Sequence, residues 1–118
     1  MFGLSLPSTV YLSSRATDMR KSIDGLCGEV SEYLGGEPTD GNLFVFYNRR
    51  RDKLKMLWWD RDGYWLFYKR LEAGTFEMPS EQQAQGGRWP LSTEQLGLIL
   101  AGVELRSVRM RKRYRLSA

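Results

Sequence analysis

Histidine is absent from this 118-residue chain, and cysteine occurs once, as Cys27. The first absence removes the commonest general base and the commonest transition-metal ligand together. The second excludes a disulfide framework and any all-cysteine metal site within one chain. Ser-His-Asp, Cys-His and zinc-water mechanisms are therefore excluded for the chain acting alone. No apolar run approaches the roughly 20 residues needed to cross a bilayer, and the start, Met1 to Leu6, lacks the basic stretch of a secretory signal. A cytoplasmic protein without membrane contact, cofactor or metal is expected. With 42% apolar and 27% charged residues, the composition is that of a soluble globular protein and not of a disordered tail. The length suits one domain rather than a two-domain enzyme.

The formal charge is +4, and its placement says more than its sum. Six basic residues, Arg106, Arg109, Arg111, Lys112, Arg113 and Arg115, follow one another without an acid. Residues 1–105 carry the other 12 basic residues against all 14 acids, a net charge of −2. A second cluster comprises Arg49, Arg50, Arg51, Lys53 and Lys55, with Asp52 as its one acid. Two basic patches on an acidic body match the asymmetry that nucleic-acid binding uses, because each neutralised phosphate releases counterions. The plainer alternative is a solvated terminus and a solvated hairpin tip.

Along the chain, Thr9 to Leu12 is a short β-rich run. Met19, Ile23, Leu26, Cys27, Val30, Tyr33 and Leu34 recur at helical spacing, which predicts an amphipathic helix over 18–34 with Thr17 or Asp18 as its cap. Gly25 and Gly28 cost helix propensity and would permit close approach of a neighbouring backbone. Gly35-Gly36 ends the helix, and Pro38 prevents its resumption. Leu43–Tyr47, Leu54–Trp59 and Tyr64–Lys69 read as three strands, linked by Asn48–Lys53 and by the tight-turn signal Asp60-Arg61-Asp62-Gly63. Loops this short favour antiparallel neighbours. In the middle strand Leu54, Met56 and Trp58 share one side, and Lys55, Leu57 and Trp59 the other. Both sides are apolar, so both must be covered or one must serve a partner. Thr75–Met78 suits a further paired strand, and Ser80–Trp89 a polar, Gly-rich loop. Ser92-Thr93-Glu94-Gln95 fits a capping box opening a second helix through Val103. The expected fold is α+β: an antiparallel meander sheet of three to five strands with two main helices in residues 1–105, and a basic C-terminal extension over 106–118.

Three segments match a family pattern. They are Thr17–Leu26, then Gly41–Asp60 running into Gly63–Phe76, and Leu96–Gly102 followed by Val103-Glu104. Together they resemble the second-open-reading-frame accessory proteins (TnpB) of the IS66 family of bacterial insertion sequences, over roughly residues 9 to 105. The resemblance implies a role in DNA transposition beside a separate, larger transposase that carries the acidic catalytic triad. It transfers no catalytic residue to this chain. The binding role of residues 106–118 rests on charge and not on the family.

The sequence offers residues for three functions. In a non-enzymatic DNA-binding accessory protein, Arg49, Arg50, Arg51, Lys53 and Lys55 would grip phosphates while the Arg106–Arg115 stretch tracks the backbone. Trp58, Trp59 or Trp65 would stack on unpaired bases if exposed, although large aromatics more often fill cores. In a protein–protein adaptor, the doubly apolar sheet or the helix Leu96–Val103 would dock on the transposase or on another element-encoded protein, the plainer alternatives being core burial or a homodimer contact. A metal-dependent nuclease would use Asp60 and Asp62 with Asp52 or Glu72, but aspartates flanking a tight turn ordinarily serve the turn. Cys27 belongs to the apolar helix stripe and is read as packed rather than nucleophilic. Catalysis is not expected.

Overall fold

Antiparallel neighbours can be joined by two residues, whereas a parallel pair needs a crossover of a dozen or more. This chain uses both connections. The computed structural model describes residue 7 and residues 9–79 and 86–102. It contains β1 (Val10–Ser13), α1 (Ile23–Glu29), β2 (Leu43–Tyr47), β3 (Lys53–Asp60), β4 (Gly63–Arg70), β5 (Arg88–Leu91) and α2 (Thr93–Ala101), with a π-helical turn at Val30–Leu34 prolonging α1. The five strands form one sheet in the order β4-β3-β2-β1-β5. β2, β3 and β4 are the expected meander, with Tyr47 opposite Leu54 and Asp60 opposite Gly63. The purely antiparallel expectation is corrected at β1, which runs parallel to β2 with Val10 opposite Leu43. The connection through α1 returns the chain to the end where β1 began, and so makes a βαβ unit.

The sheet is covered on both faces. All five β2 residues are buried, which explains their unbroken apolar sequence. Phe44, Phe46 and Leu57 face Leu26, Val30 and Leu34 of the first helical segment. Val45, Leu54 and Trp58 face Phe76, Met78 and, from α2, Leu96 and Ile99. Thr75–Met78 is extended but is not a sheet strand, contrary to expectation: the Phe76 N–H donates to the Arg51 carbonyl at 2.7 Å, and the Phe76 side chain plugs the core. Arg88 and Trp89, expected in a loop, begin β5, which pairs with β1. Pro90 is tolerated there because β5 is an edge strand. The capping box forms as its spacing requires, with the Gln95 N–H donating to Ser92 Oγ at 3.0 Å and the Ser92 N–H to Gln95 Oε1 at 2.9 Å.

The first helix starts at Ile23 and not at Asp18. The reason is tertiary. Lys55, on β3, donates its ammonium to the carbonyls of Met19 (2.7 Å) and Lys21 (2.8 Å), holding 19–22 in an irregular turn. Asp18 instead closes its own turn, accepting from the Arg20 N–H (2.9 Å) and guanidinium (2.7 Å). Those bonds bring its carboxyl down to about 2. Gly25 and Gly28 admit no neighbouring backbone; a Cβ at Gly28 would meet nothing within 4 Å. The close approach lies at Gly87, against the Tyr33 carbonyl.

Glu29 accepts from Lys21 Nζ at 2.6 Å and lies 3.4 Å from the Arg15 guanidinium. The lysine bond, before the arginine, holds its carboxyl below the usual 4.5 against the opposing effect of burial. A lowered folded-state value stabilises above the unfolded one and ceases to do so as the pH falls through the folded one. Urea denaturation of Glu29→Gln is therefore expected to show a loss of roughly 1 kcal/mol at pH 7, shrinking below pH 4.5. An equal loss at pH 3 and pH 7 would contradict this linkage.

Candidate nucleic-acid interface

The β2–β3 turn carries Arg49, Arg50 and Arg51 at its exposed tip. Asn48 builds the turn: its Oδ1 accepts the N–H groups of Asp52 (3.1 Å) and Lys53 (3.0 Å), and its amide donates to Asp52 Oδ1 at 2.6 Å. The Asn48 carbonyl also accepts from the Arg51 N–H at 3.0 Å. Arg51 is thereby set in the left-handed region (φ 60°), which costs a side-chain-bearing residue about 1 kcal/mol. From beneath, the Leu71 N–H reaches the Asp52 carbonyl at 2.8 Å. The tip is a braced platform.

Its electrostatics follow from that bracing. Asp52, the one acid in the cluster, is committed to Asn48; this bond, with Lys53 and Arg50 nearby, lowers its carboxyl below the ordinary value. None of the ion pairs among the described residues involves Arg49, Arg50, Arg51 or Lys53. The three arginines are exposed, and none of them is held in an ion pair among the described residues. Lys55 is different and leaves the candidate set: it is only 8% exposed, donates inward to Met19 and Lys21, and sits 5.1 Å from the Tyr68 ring centroid. Period-two alternation puts Lys53 and Lys55 on one face; they differ because Lys55 lies two residues further from the turn, where residues 19–22 cover it.

Arg15 joins the platform, although nothing in its local sequence singles it out. Because β1 and β2 are parallel, their C-terminal ends lie together, and the Thr17 N–H donates to the Tyr47 carbonyl at 2.7 Å. The Arg15 guanidinium lies 3.7 Å above the Tyr33 ring and 3.4 Å from Glu29. Two open clefts result. One, of about 410 Å³, lies between Ala16–Met19 and Asn48, Arg49, Arg50 and Lys53. The other, of about 360 Å³, is lined by Arg15, Ala16, Tyr47, Arg49 and Arg51. Arg49 stands between them. At the wall of the first, the buried Thr17 hydroxyl makes no hydrogen bond.

The same end of the sheet receives the end of β4, where Arg70 lies opposite Lys53. Arg70 is partly offset by Glu72, 2.7 Å away. Asp60 and Asp62 lie at the other end, so the sheet is polarised, basic at the 48–53 turn and acidic at the 60–63 turn. Asp52 and Asp60 are separated by the length of β3, about 27 Å, which keeps the carboxylates weighed for a nuclease apart. Among the described residues no three acidic or cysteine side chains gather in a form that could hold a metal ion, and no helix is long and apolar enough to cross a membrane.

The tryptophans divide. Trp58 is core, its indole N–H donating to the Gly41 carbonyl at 3.1 Å, and Trp59 packs edge-on against Tyr64. Trp65 is exposed but bonds to Asp60 at 3.2 Å, toward the acidic end and away from the arginine tip. Arg106, Arg109, Arg111, Lys112, Arg113 and Arg115 lie outside the described residues.

The profile of the IS66 Orf2-like proteins matches residues 8–110. The uncharacterized protein y4hO of Sinorhizobium fredii is 42% identical over 97 residues, 82% of each chain. The uncharacterized protein y4jC of the same organism is 32% identical over 104 residues, 88% of this chain and 86% of the relative. No solved structure matches.

Proposed function

The chain belongs to the IS66 Orf2-like family, whose members are insertion-sequence accessory proteins, and from that premise we propose that it assists transposition by binding DNA without catalysing a reaction. Arg49, Arg50, Arg51 and Lys53 grip backbone phosphates, Arg15 flanks them, and the basic residues of 106–115 extend the contact. The observation that carries this reading is the set of exposed tip arginines, held in no ion pair among the described residues, on a turn whose own acid is bonded to Asn48. Such contacts position a protein on a duplex and carry no base information. The transposase, a separate protein, supplies the chemistry, and this chain raises its effective concentration at the element ends through linkage.

Gel retardation of element-end DNA across a salt series tests the reading. Replacing Arg49, Arg50 and Arg51 together with Ala is expected to weaken binding to all sequences alike and to reduce the slope of log K against log salt by about 3. A chain ending at residue 105 is expected to lose a further part of that slope. Unchanged affinity and slope in a folded triple variant would reject the tip as the contact. Retention of the transposase after nuclease treatment, together with absence of DNA binding, would assign an adaptor role instead.

A further inference from the structure

The two edges of the sheet are built in opposite ways. β5 is four residues long and carries Arg88 and Pro90, both of which discourage a further strand. β4 is eight residues long, has β3 as its one neighbour among the described residues, and runs Tyr64-Trp65-Leu66-Phe67-Tyr68 without charge, proline or glycine. Alternate residues of an edge strand turn their N–H and C=O groups outward. Trp65, Phe67 and Tyr68 are respectively 47%, 39% and 55% exposed. An edge of this length and composition is a template for pairing.

We propose that β4 pairs antiparallel with β4 of a second copy of this chain, with Leu66 on the two-fold axis, giving a continuous ten-stranded sheet. The choice of partner rests on charge along the edge: Asp62 precedes β4, and Lys69 and Arg70 end it. Antiparallel self-pairing sets the acidic end of each copy against the basic end of the other. The register follows from parity and charge. A two-fold axis normal to the sheet keeps each residue on its own face, so facing residues have the same parity and the axis passes through a single residue type. Centred on Phe67, the pairing brings Asp62 toward Glu72 of the other copy; centred on Trp65, it brings Arg61 toward Lys69. Like charges directly opposite destabilise both arrangements. Centred on Leu66, it sets Asp62 against Arg70, and Lys69 against Gly63.

The same register sets Trp65 against Phe67 of the other copy. Within one chain these rings are already stacked, 6.2 Å apart with planes 13° from parallel. Two cross-strand aromatic pairs are added, extending the rings into a four-membered ladder. The Arg70–Glu72 pair is solvent-exposed on both sides, and an exposed pair of this kind yields readily to exchange.

Sedimentation equilibrium of the full chain without DNA tests the proposal. The expected mass is twice the monomer's 13.7 kDa. Phe67→Lys is expected to give the monomer with an unchanged far-ultraviolet spectrum. Asp62→Arg and Arg70→Asp are each expected to weaken association about tenfold, and the double variant to restore it, an outcome that misfolding does not produce. A monomer at all concentrations overturns the proposal. So does a dimer unaffected by Phe67→Lys, or one lost only when residues 106–118 are removed. Failure of the charge swap to restore association overturns the register. The result is independent of DNA binding, because no variant alters Arg49, Arg50 or Arg51.

Discussion

Gly87→Ala is expected to lower stability by about 3 kcal/mol, the upper end for inserting a methyl group into a packed site, and Tm by roughly 10 °C. A Cβ at this position would overlap the Tyr33 carbonyl oxygen and lie 2.7 Å from its carbon. Those are main-chain atoms of the π-helical turn and cannot rotate aside. Nor can Gly87 retreat without loss, since its carbonyl accepts from the Ser14 N–H at 2.9 Å and so ties the approach to β5 against the end of β1. Tyr33 is fixed in turn, its hydroxyl lying 2.7 Å from Ser14 Oγ. Gly28→Ala is the matched control. It has open space around its Cβ and lies within α1, so the substitution is expected to stabilise by up to about 1 kcal/mol. Thermal and urea denaturation of both variants would measure the contrast. Equal, small effects would mean that the packing of Gly87 against Tyr33 is absent in solution.

Lys55→Met is expected to cost about 2 kcal/mol, since it keeps the aliphatic stem but leaves the Met19 and Lys21 carbonyls without their donor. Relief from holding an ammonium group in a site only 8% exposed offsets part of the loss. Lys55→Ala, which also removes the stem, is expected to cost about 2 kcal/mol more. Amide exchange should accelerate locally in 19–22, while the salt slope of DNA binding remains that of the unaltered chain. A slope reduced by about 1 would return Lys55 to the phosphate contacts. Comparison with the tip variant thus separates two kinds of basic residue that sequence composition groups together.

Much of the fold was legible because local signals agreed. The Asp60–Gly63 turn and the Ser92–Gln95 box each depend on residues within a few positions of one another, where propensity and hydrogen bonding act directly. The errors share a cause. Asp18 and Met19 carry a sound helical pattern, yet the helix begins at Ile23 because a lysine 34 residues later than Lys21 takes its carbonyl. Arg88 and Trp89 follow a glycine pair that reads as loop, yet they become strand because β1 presents a free edge. Thr75–Met78 reads as strand, yet Phe76 bonds to the Arg51 carbonyl at the 48–53 turn and its side chain is drawn into the core.

The basic character of the 48–53 turn, its acidic surroundings and the absence of histidine chemistry belong to the sequence alone, since charge and residue type do not depend on folding. Which cations remain available to a polyanion was decided only by tertiary structure. The parallel β1–β2 pairing carries Arg15 to the tip, and the packing of β3 against 19–22 withdraws Lys55. The physical reason is distance along the chain. Contacts between residues some 30 positions apart arise only when the sheet closes, and no local propensity encodes which groups they will join.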